Sequence, residues 1–175
     1  MIKLRKAHIN EANEILSFYE NIISSIRDSE FRPKWNESYP DIEFIKDSIL
    51  KGEMYVYPEN GIMACLVINN DFGNEYGDVR WHVNAKPDEV IAIHTFAVKS
   101  MGKGIGKEIF DYIVKEAISH DKKTIRIDVI DGNIGAQKVF EKFGFEYVGC
   151  AEMFHEAVGR ETFHLYEKEI KEYVR

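Results

Sequence analysis

Val98-Lys99-Ser100-Met101-Gly102-Lys103-Gly104-Ile105-Gly106-Lys107 joins two strongly apolar segments through a turn rich in glycine and lysine. Before it, Val90 to Val98 is a nearly continuous apolar run, the pattern of a strand buried on both faces. After it, Ile105, Ile109, Ile113 and Ala117 recur at i+4 beside Phe110, Val114 and Ile118, which predicts a deeply buried helix. Thr124 to Ile130 then alternates as a strand. Strand, helix and strand in this order make one βαβ crossover, and the rest of the chain is arranged around it.

Downstream, Asn133 can cap a helix packed through Val139, Phe140 and Phe143 and stopped by Gly144. Phe145 to Met153 and Thr162 to Glu169 read as two last strands. Upstream, Ile2 to Arg5 alternates as a short strand, and Asn10 can cap a helix whose apolar stripe is Ala12, Ile15, Tyr19, Ile22 and Ile26. Asp41 starts a second helix with Ile42, Ile45 and Ile49 on one face, and Gly52 can end it. Met54 to Tyr57 and Ile62 to Ile68 are strands across Pro58-Glu59-Asn60-Gly61, where Asn-Gly favours a hairpin. The order βααββ, βαβα, ββ predicts an α/β (α+β) domain with a mixed, mostly antiparallel sheet of about seven strands flanked by helices.

Composition limits the partners. The 175 residues suit one domain, residues 1–175, with a core large enough to need no disulfide. Lysine and arginine total 23 against 30 aspartates and glutamates, a net charge of −7. That balance argues against nucleic acid or an anionic membrane as partner, both of which need clustered positive charge. Cys65 and Cys150 are the two cysteines, and no h-region or membrane-length apolar run occurs. A reducing cytoplasm is the expected compartment. The six histidines, at 8, 82, 94, 120, 155 and 164, form no pair at metal-ligand spacing, so no metal is expected.

The glycine turn is the place for an anion. Glycines let a ligand approach the backbone closely, and the unpaired N–H groups of a helix's first turn favour negative charge. Lys103 and Lys107 add positive charge there, which makes phosphate or pyrophosphate the natural ligand. The alternative is a tight strand-to-helix turn that binds nothing. A dinucleotide fingerprint fails because its third glycine falls on Lys107, and a Walker loop fails at Met101 and Glu108.

Val98, Gly104-Ile105-Gly106-Lys107, then Asn133, Ala136, Phe140 and Lys142-Phe143-Gly144-Phe145 together resemble the GNAT superfamily of acyl-CoA-dependent N-acyltransferases. The resemblance extends over essentially the whole chain and implies the three-layer fold of that family. Two positions depart from its pattern: Met101 stands where Gln or Arg is usual, and Phe140 where many members carry a tyrosine hydroxyl.

The resemblance implies acetyl-CoA as acyl donor and CoA as product. Its pyrophosphate is expected on the amides of Gly102, Lys103, Gly104, Ile105, Gly106 and Lys107. Its pantetheine arm is expected along Phe96, Ala97 and Val98, paired like an added strand. Asn133, Phe140 and Lys142 complete the expected cofactor contacts, with a helix cap as the alternative role of Asn133. Attack by an amine on the thioester, through a tetrahedral intermediate, needs a neutral amine, hence a base or a water chain. His94 interrupts the apolar run Ile91 to Val98 and is the candidate base, the alternative being a hydrogen-bonded pocket histidine. Phe140 cannot protonate the leaving thiolate, which leaves water, another tyrosine (Tyr147 or Tyr166) or no protein acid.

The resemblance implies an acceptor pocket between the first two helices and the strand that ends in the glycine turn. Trp35, Tyr39, Tyr76 and Trp81 are its candidate aromatic walls, suited to an ammonium group, although loop aromatics also cover core edges. The expected acceptor is a small-molecule amine, and the expected assembly is a monomer or homodimer. Acetylation of a protein N-terminus or lysine, and a non-catalytic acyl-CoA-binding module, are the competing readings.

Overall fold

A computed structural model describes residues 4–26, 34–36, 38–72, 79–99, 102–155 and 158–171. Its elements are β1 (Arg5–Lys6), α1 (Ala12–Ile26), α2 (Ile42–Leu50), β2 (Met54–Pro58), β3 (Ile62–Asn69), β4 (Val90–Val98), α3 (Ile105–Ser119), β5 (Thr124–Ile130), α4 (Ile134–Lys142), β6 (Glu146–His155) and β7 (Gly159–Glu169). Among the described residues the strands form one seven-stranded sheet in the order β1-β2-β3-β4-β5-β7-β6. β4 and β5 pair in parallel, and the other described pairs are antiparallel. The expected α/β class and central crossover are what the chain adopts.

Both faces of the sheet are covered, because its strands carry apolar side chains on both. Ile15, Tyr19, Ile45 and Ile49 of α1 and α2 pack on Met54, Val56, Cys65 and Val67. On the opposite face, Ile105, Ile109, Ile113 and Ala117 of α3, with Phe140 of α4, pack on Leu66, Ile93, Ile125 and Ile127. Burying each such isoleucine contributes about 1.5–3 kcal/mol. The sheet is therefore the middle layer of three.

The helix starts follow local chemistry. Asp41 Oδ1 accepts the Phe44 N–H at 2.8 Å, as a capping aspartate should. The first helix departs from expectation: a 3₁₀ turn, Ile9–Glu11, precedes it, and Asn10 does not cap it. Instead the Glu11 carboxylate accepts the His8 N–H at 2.8 Å while Arg5 holds both its oxygens at 2.8 and 2.7 Å. That bidentate pair ties β1 to the helix entry, a geometry the asparagine amide has no means to supply. The first strand is Arg5–Lys6, with residues 1–3 outside the described set. Asn60 and Gly61 both take positive φ, +56° and +97°, as the hairpin reading requires. The last two strands are longer than expected, Glu146–His155 and Gly159–Glu169, because their mutual pairing runs on to His155↔Gly159.

Candidate active site

β4 is the strand that opens the site. Its register against β3 jumps from Val67↔His94 to Cys65↔Ala97, so three steps on β4 face two on β3. The extra residue is a bulge, and Thr95 sits in it at φ +49°, a strained conformation for a β-branched side chain. Tyr19, fully buried on α1, donates its hydroxyl to the Thr95 carbonyl at 2.9 Å. Burial pushes the Tyr19 hydroxyl well above its ordinary range, so it acts as a hydrogen-bond donor and not as an acid.

Just before the bulge the sheet forks. Parallel pairing of β4 with β5 ends at Ile93↔Ile127, although both strands continue. A cleft of about 250 Å³ lies there. His94, Thr95, Phe96 and Ala97 line it from β4, and Asp128, Val129 and Ile130 from β5. In parallel register His94 and Asp128 follow the last paired residues, one on each arm of the fork. Ile22 and Ile26 of α1, Trp35 and Tyr39 close one side, and Asn133, Ala136 and Phe140 another. His155 of β6 also lines the cleft, its ring centroid 4.6 Å from that of Tyr39.

Several expected site residues therefore meet at one place: His94, Phe96, Ala97, Asn133, Phe140, Trp35 and Tyr39. Asn133 caps α4, accepting the Ala136 N–H at 3.2 Å, and also reaches the cleft. Phe140 is buried at the cleft wall, its ring centroid 6.4, 5.8 and 5.7 Å from those of Phe96, Phe110 and Phe145. Val98 ends β4 and leads to the glycine turn.

In that turn Gly102 and Gly104 have φ +85° and +78°, and among the described residues, chain neighbours aside, no atom lies within 4 Å of where a Cβ would stand on either. The positive φ explains the glycines, and the open space leaves a ligand free to reach the backbone. Gly104 is the residue before α3, whose first-turn amides have no helical partner. Lys103 and Lys107 are exposed there, and Lys107 pairs with Asp111 at 2.6 Å. The hydroxyl of Tyr57 donates to Glu108 in the same turn at 2.6 Å, which pushes the tyrosine up to about 12. Ser100 and Met101 lie outside the described residues.

Other expected residues lie elsewhere. Trp81 does not line the cleft: it covers Arg126, whose guanidinium sits 4.1 Å from its ring. Arg126 is buried against Glu167 at 3.0 Å, and Glu167 also accepts the N–H groups of His82 and Val83. A buried ion pair demands such cover, and the tryptophan supplies it. Lys142 is exposed at the end of α4 and also away from the cleft. Tyr76 lies outside the described residues. Tyr166 is buried in the core on the α3 side of the sheet and Tyr147 is exposed on β6, neither in the cleft. Cys65 is buried, which raises its thiol well above the ordinary range and keeps it from acting as a thiolate. Among the described residues no group of three or more metal-ligating side chains comes together.

Sequence reasoning missed Asp128, His155 and Asn69. Asp128 had a usable signal, since a crossover sets Thr124 to Ile130 beside Val90 to Val98 and its alternation puts Asp128 on the face of Arg126. His155 and Asn69 had none, because only tertiary packing brings them to His94 and Tyr39.

The sequence pattern of the acetyltransferase (GNAT) family matches residues 21–145, from the C-terminal part of α1 through the fork and the glycine turn to α4. The chain belongs to that family. This GNAT protein is an acyltransferase, and its fold recurs in solved relatives. A GNAT acetyltransferase from Streptococcus agalactiae superposes with TM-score 0.79 at 21% identity, over 97% of this chain and 95% of that one. A Salmonella typhimurium acetyltransferase structure, solved with its cofactor acetyl-CoA, matches at TM-score 0.67 and 14% identity, over 98% and 95% of the two chains. The ribosomal-protein-S5-alanine acetyltransferase of Vibrio fischeri matches at TM-score 0.66 and 16% identity, over 98% and 94%. A search of curated protein sequences finds no match. Among the described residues no helix is long and apolar enough to cross a membrane.

Proposed function

We propose that this acetyltransferase moves the acetyl group of acetyl-CoA onto the primary amine of a small molecule held in the β4/β5 cleft, with His94 as general base. The observation that carries the proposal is the fork beyond Ile93↔Ile127, where His94 and Asp128 flank one small cleft under Trp35 and Tyr39.

The donor side fits. The open space over Gly102 and Gly104 and the first-turn amides of α3 suit a pyrophosphate, and exposed Lys103 adds charge. On its β5 side, β4 has no partner strand past Ile93 among the described residues, so its backbone there is available to an extended arm, as in strand addition. Phe96, Phe140 and the Asn133 side chain border that path. When bound, acetyl-CoA supplies an activated acetyl carbonyl and a thiolate leaving group. The chain's residues do the rest. An unpaired β4 amide can polarise the carbonyl, Trp35 and Tyr39 hold the amine, and His94 takes its proton. Asp128 on the facing arm favours a cationic acceptor by charge. Tyr39 brings a phenol into the cleft, where Phe140 has none to offer.

A thiol-release assay with acetyl-CoA over a panel of small amines and N-terminal or lysine peptides tests this. Release with one or more small amines is the expected result. Release only with peptides would assign a protein acceptor. Tight acetyl-CoA binding with no turnover on any acceptor would make the chain a binding module.

A further inference from the structure

We infer that Asn69 is a positioning residue that fixes the Nε2–H tautomer of His94 and leaves Nδ1 as the nitrogen that accepts the amine proton. The inference rests on the base role of His94, and its test separates the two.

His94 Nε2 lies 3.0 Å from Asn69 Oδ1. Which end of the amide faces the imidazole is decided by its other two partners. Asn69 Oδ1 accepts the backbone N–H of Asp71 at 3.0 Å, and a backbone N–H can only donate. Asn69 Nδ2 donates to Glu53 Oε2 at 3.1 Å, and a carboxylate can only accept. Turning the amide over would set two donors together at one end and two acceptors at the other. The oxygen therefore faces His94, and Nε2 must carry the hydrogen. In neutral imidazole the lone pair is then on Nδ1.

The second ring nitrogen is the useful one. Asn69 and Glu53 do not line the cleft, whereas His94 does. The occupied nitrogen is thus tied to groups outside the site. As the amine forms its C–N bond and the C–S bond breaks, the amine proton passes to Nδ1. The sulfur leaves with the bonding pair, and the proton on His94 is later lost to water or to the thiolate. In the protonated ring Nε2 keeps its bond to Asn69, so the imidazole need not rotate between the two states.

Nothing in the local sequence announces this. Asn69 closes β3 and pairs with Ala92, two residues before His94, so the antiparallel register sets the two side chains diagonally on one face. Glu53 precedes β2 and reaches the pair through the β2/β3 hairpin.

Two measurements test the inference. The first is the ¹⁵N spectrum of the His94 ring in the intact protein at a pH where it is neutral. The Nε2–H form is expected, with the Nδ1–H form gaining population in Asn69→Ala. An Nδ1–H form in the wild type, or an unchanged tautomer in Asn69→Ala, overturns the inference whether or not His94 is the base.

The second is the pH dependence of kcat/KM for an amine substrate. Asn69→Ala should lower it about tenfold, less than the 10²–10⁴-fold that a general base contributes as a whole, with acetyl-CoA binding unchanged. Asn69→Asp keeps the acceptor and adds negative charge, so the ionisation seen in the profile should move to higher pH and the rate recover. Because Glu53 faces the new carboxylate, Glu53→Gln/Asn69→Asp is the partner variant that keeps the fold. Among the described residues, the other charged or titratable groups set near His94 are Asp71, Asp128 on β5, His155 on β6, and Tyr19 and Tyr39. They are common to all the variants, so a difference between profiles reports position 69. Profiles that superimpose, with Asn69→Ala within twofold of wild type, overturn the positioning role. Full activity in His94→Ala beside the expected tautomer shift would instead remove the base role.

Discussion

The Tyr19 hydroxyl and the Thr95 carbonyl, 76 positions apart in the chain, meet in a 2.9 Å hydrogen bond inside the protein. That bond sits on the one residue of β4 whose backbone leaves the strand conformation. It holds the bulge from the α1 side, on the arm of the fork that leaves β5 after Ile93.

Tyr19→Phe keeps the ring and removes the donor. The half-buried Thr95 carbonyl then loses a partner, a cost of about 0.5–1.5 kcal/mol. For a chain of this length that is a fall in Tm of about 2–4 °C per kcal/mol. The Michaelis constant for acetyl-CoA should rise as the bulge relaxes. Thermal unfolding and kinetics on the same samples check it, and an unchanged Tm with unchanged kinetics would show that the bulge stands without Tyr19.

At Gly104 two substitutions separate backbone strain from ligand exclusion. Gly104→Ala meets no neighbour, so it should cost only the left-handed backbone, about 1–2 kcal/mol of stability. Gly104→Glu adds bulk and negative charge where a pyrophosphate is proposed to sit. Its acetyl-CoA affinity, read by calorimetry, should fall at least tenfold, which is about 1.4 kcal/mol. Affinity within a few-fold of wild type would put the donor site elsewhere.

His94→Ala should lower turnover by about 10²–10⁴-fold while acetyl-CoA affinity stays close to wild type. The wild-type rate should rise with pH through an ionisation that the variant lacks. Phe140 gives a contrasting pair. Phe140→Leu should raise the Michaelis constant for acetyl-CoA and nearly preserve kcat, since the ring packs and transfers no proton. Phe140→Tyr should raise kcat only if thiolate departure limits the rate, because an acid helps only the step in which charge develops on sulfur. A large kcat loss in Phe140→Leu, with binding intact, would mean that the ring takes part in the chemistry.

Acid stability should report Glu11. The Arg5 guanidinium, helped by the His8 N–H, lowers its carboxyl to about 2 from an ordinary value of 4.5. A depressed carboxylate stabilises the fold above its unfolded value, and that contribution fades as pH falls from about 4.5 to about 2. Arg5 keeps 40% of its side chain exposed, so the contribution is about 0.2–1 kcal/mol, the usual worth of a screened pair. Urea unfolding at a series of pH values should show a flatter acid limb for Glu11→Gln than for wild type. Parallel limbs would mean that the pair contributes nothing.

What short-range chemistry governs was legible in the chain alone. Apolar spacing set the four helices and the principal strands, Asp41 and Asn133 capped where caps were expected, and the glycines of 102 and 104 marked the strand-to-helix turn. These depend on groups a few residues apart, so a linear reading reaches them. The first helix is the exception, since its cap depends on Arg5 holding Glu11 and not on Asn10. The site itself was legible only in part. His94 stood out as a polar interruption of an apolar run, but the bulge beside it comes from a register shift against β3 and a hydroxyl from α1. Trp81 looked like a pocket wall and instead covers a buried ion pair whose halves lie 41 residues apart. Asn69 and Asp128 come to the cleft or its histidine through strand pairing, and His155 through packing against Tyr39. Residue type and spacing determine which segments form strands and helices. Which strand edges part, and which side chains meet there, is decided by contacts between segments distant in sequence, and those exist only once the sheet has closed.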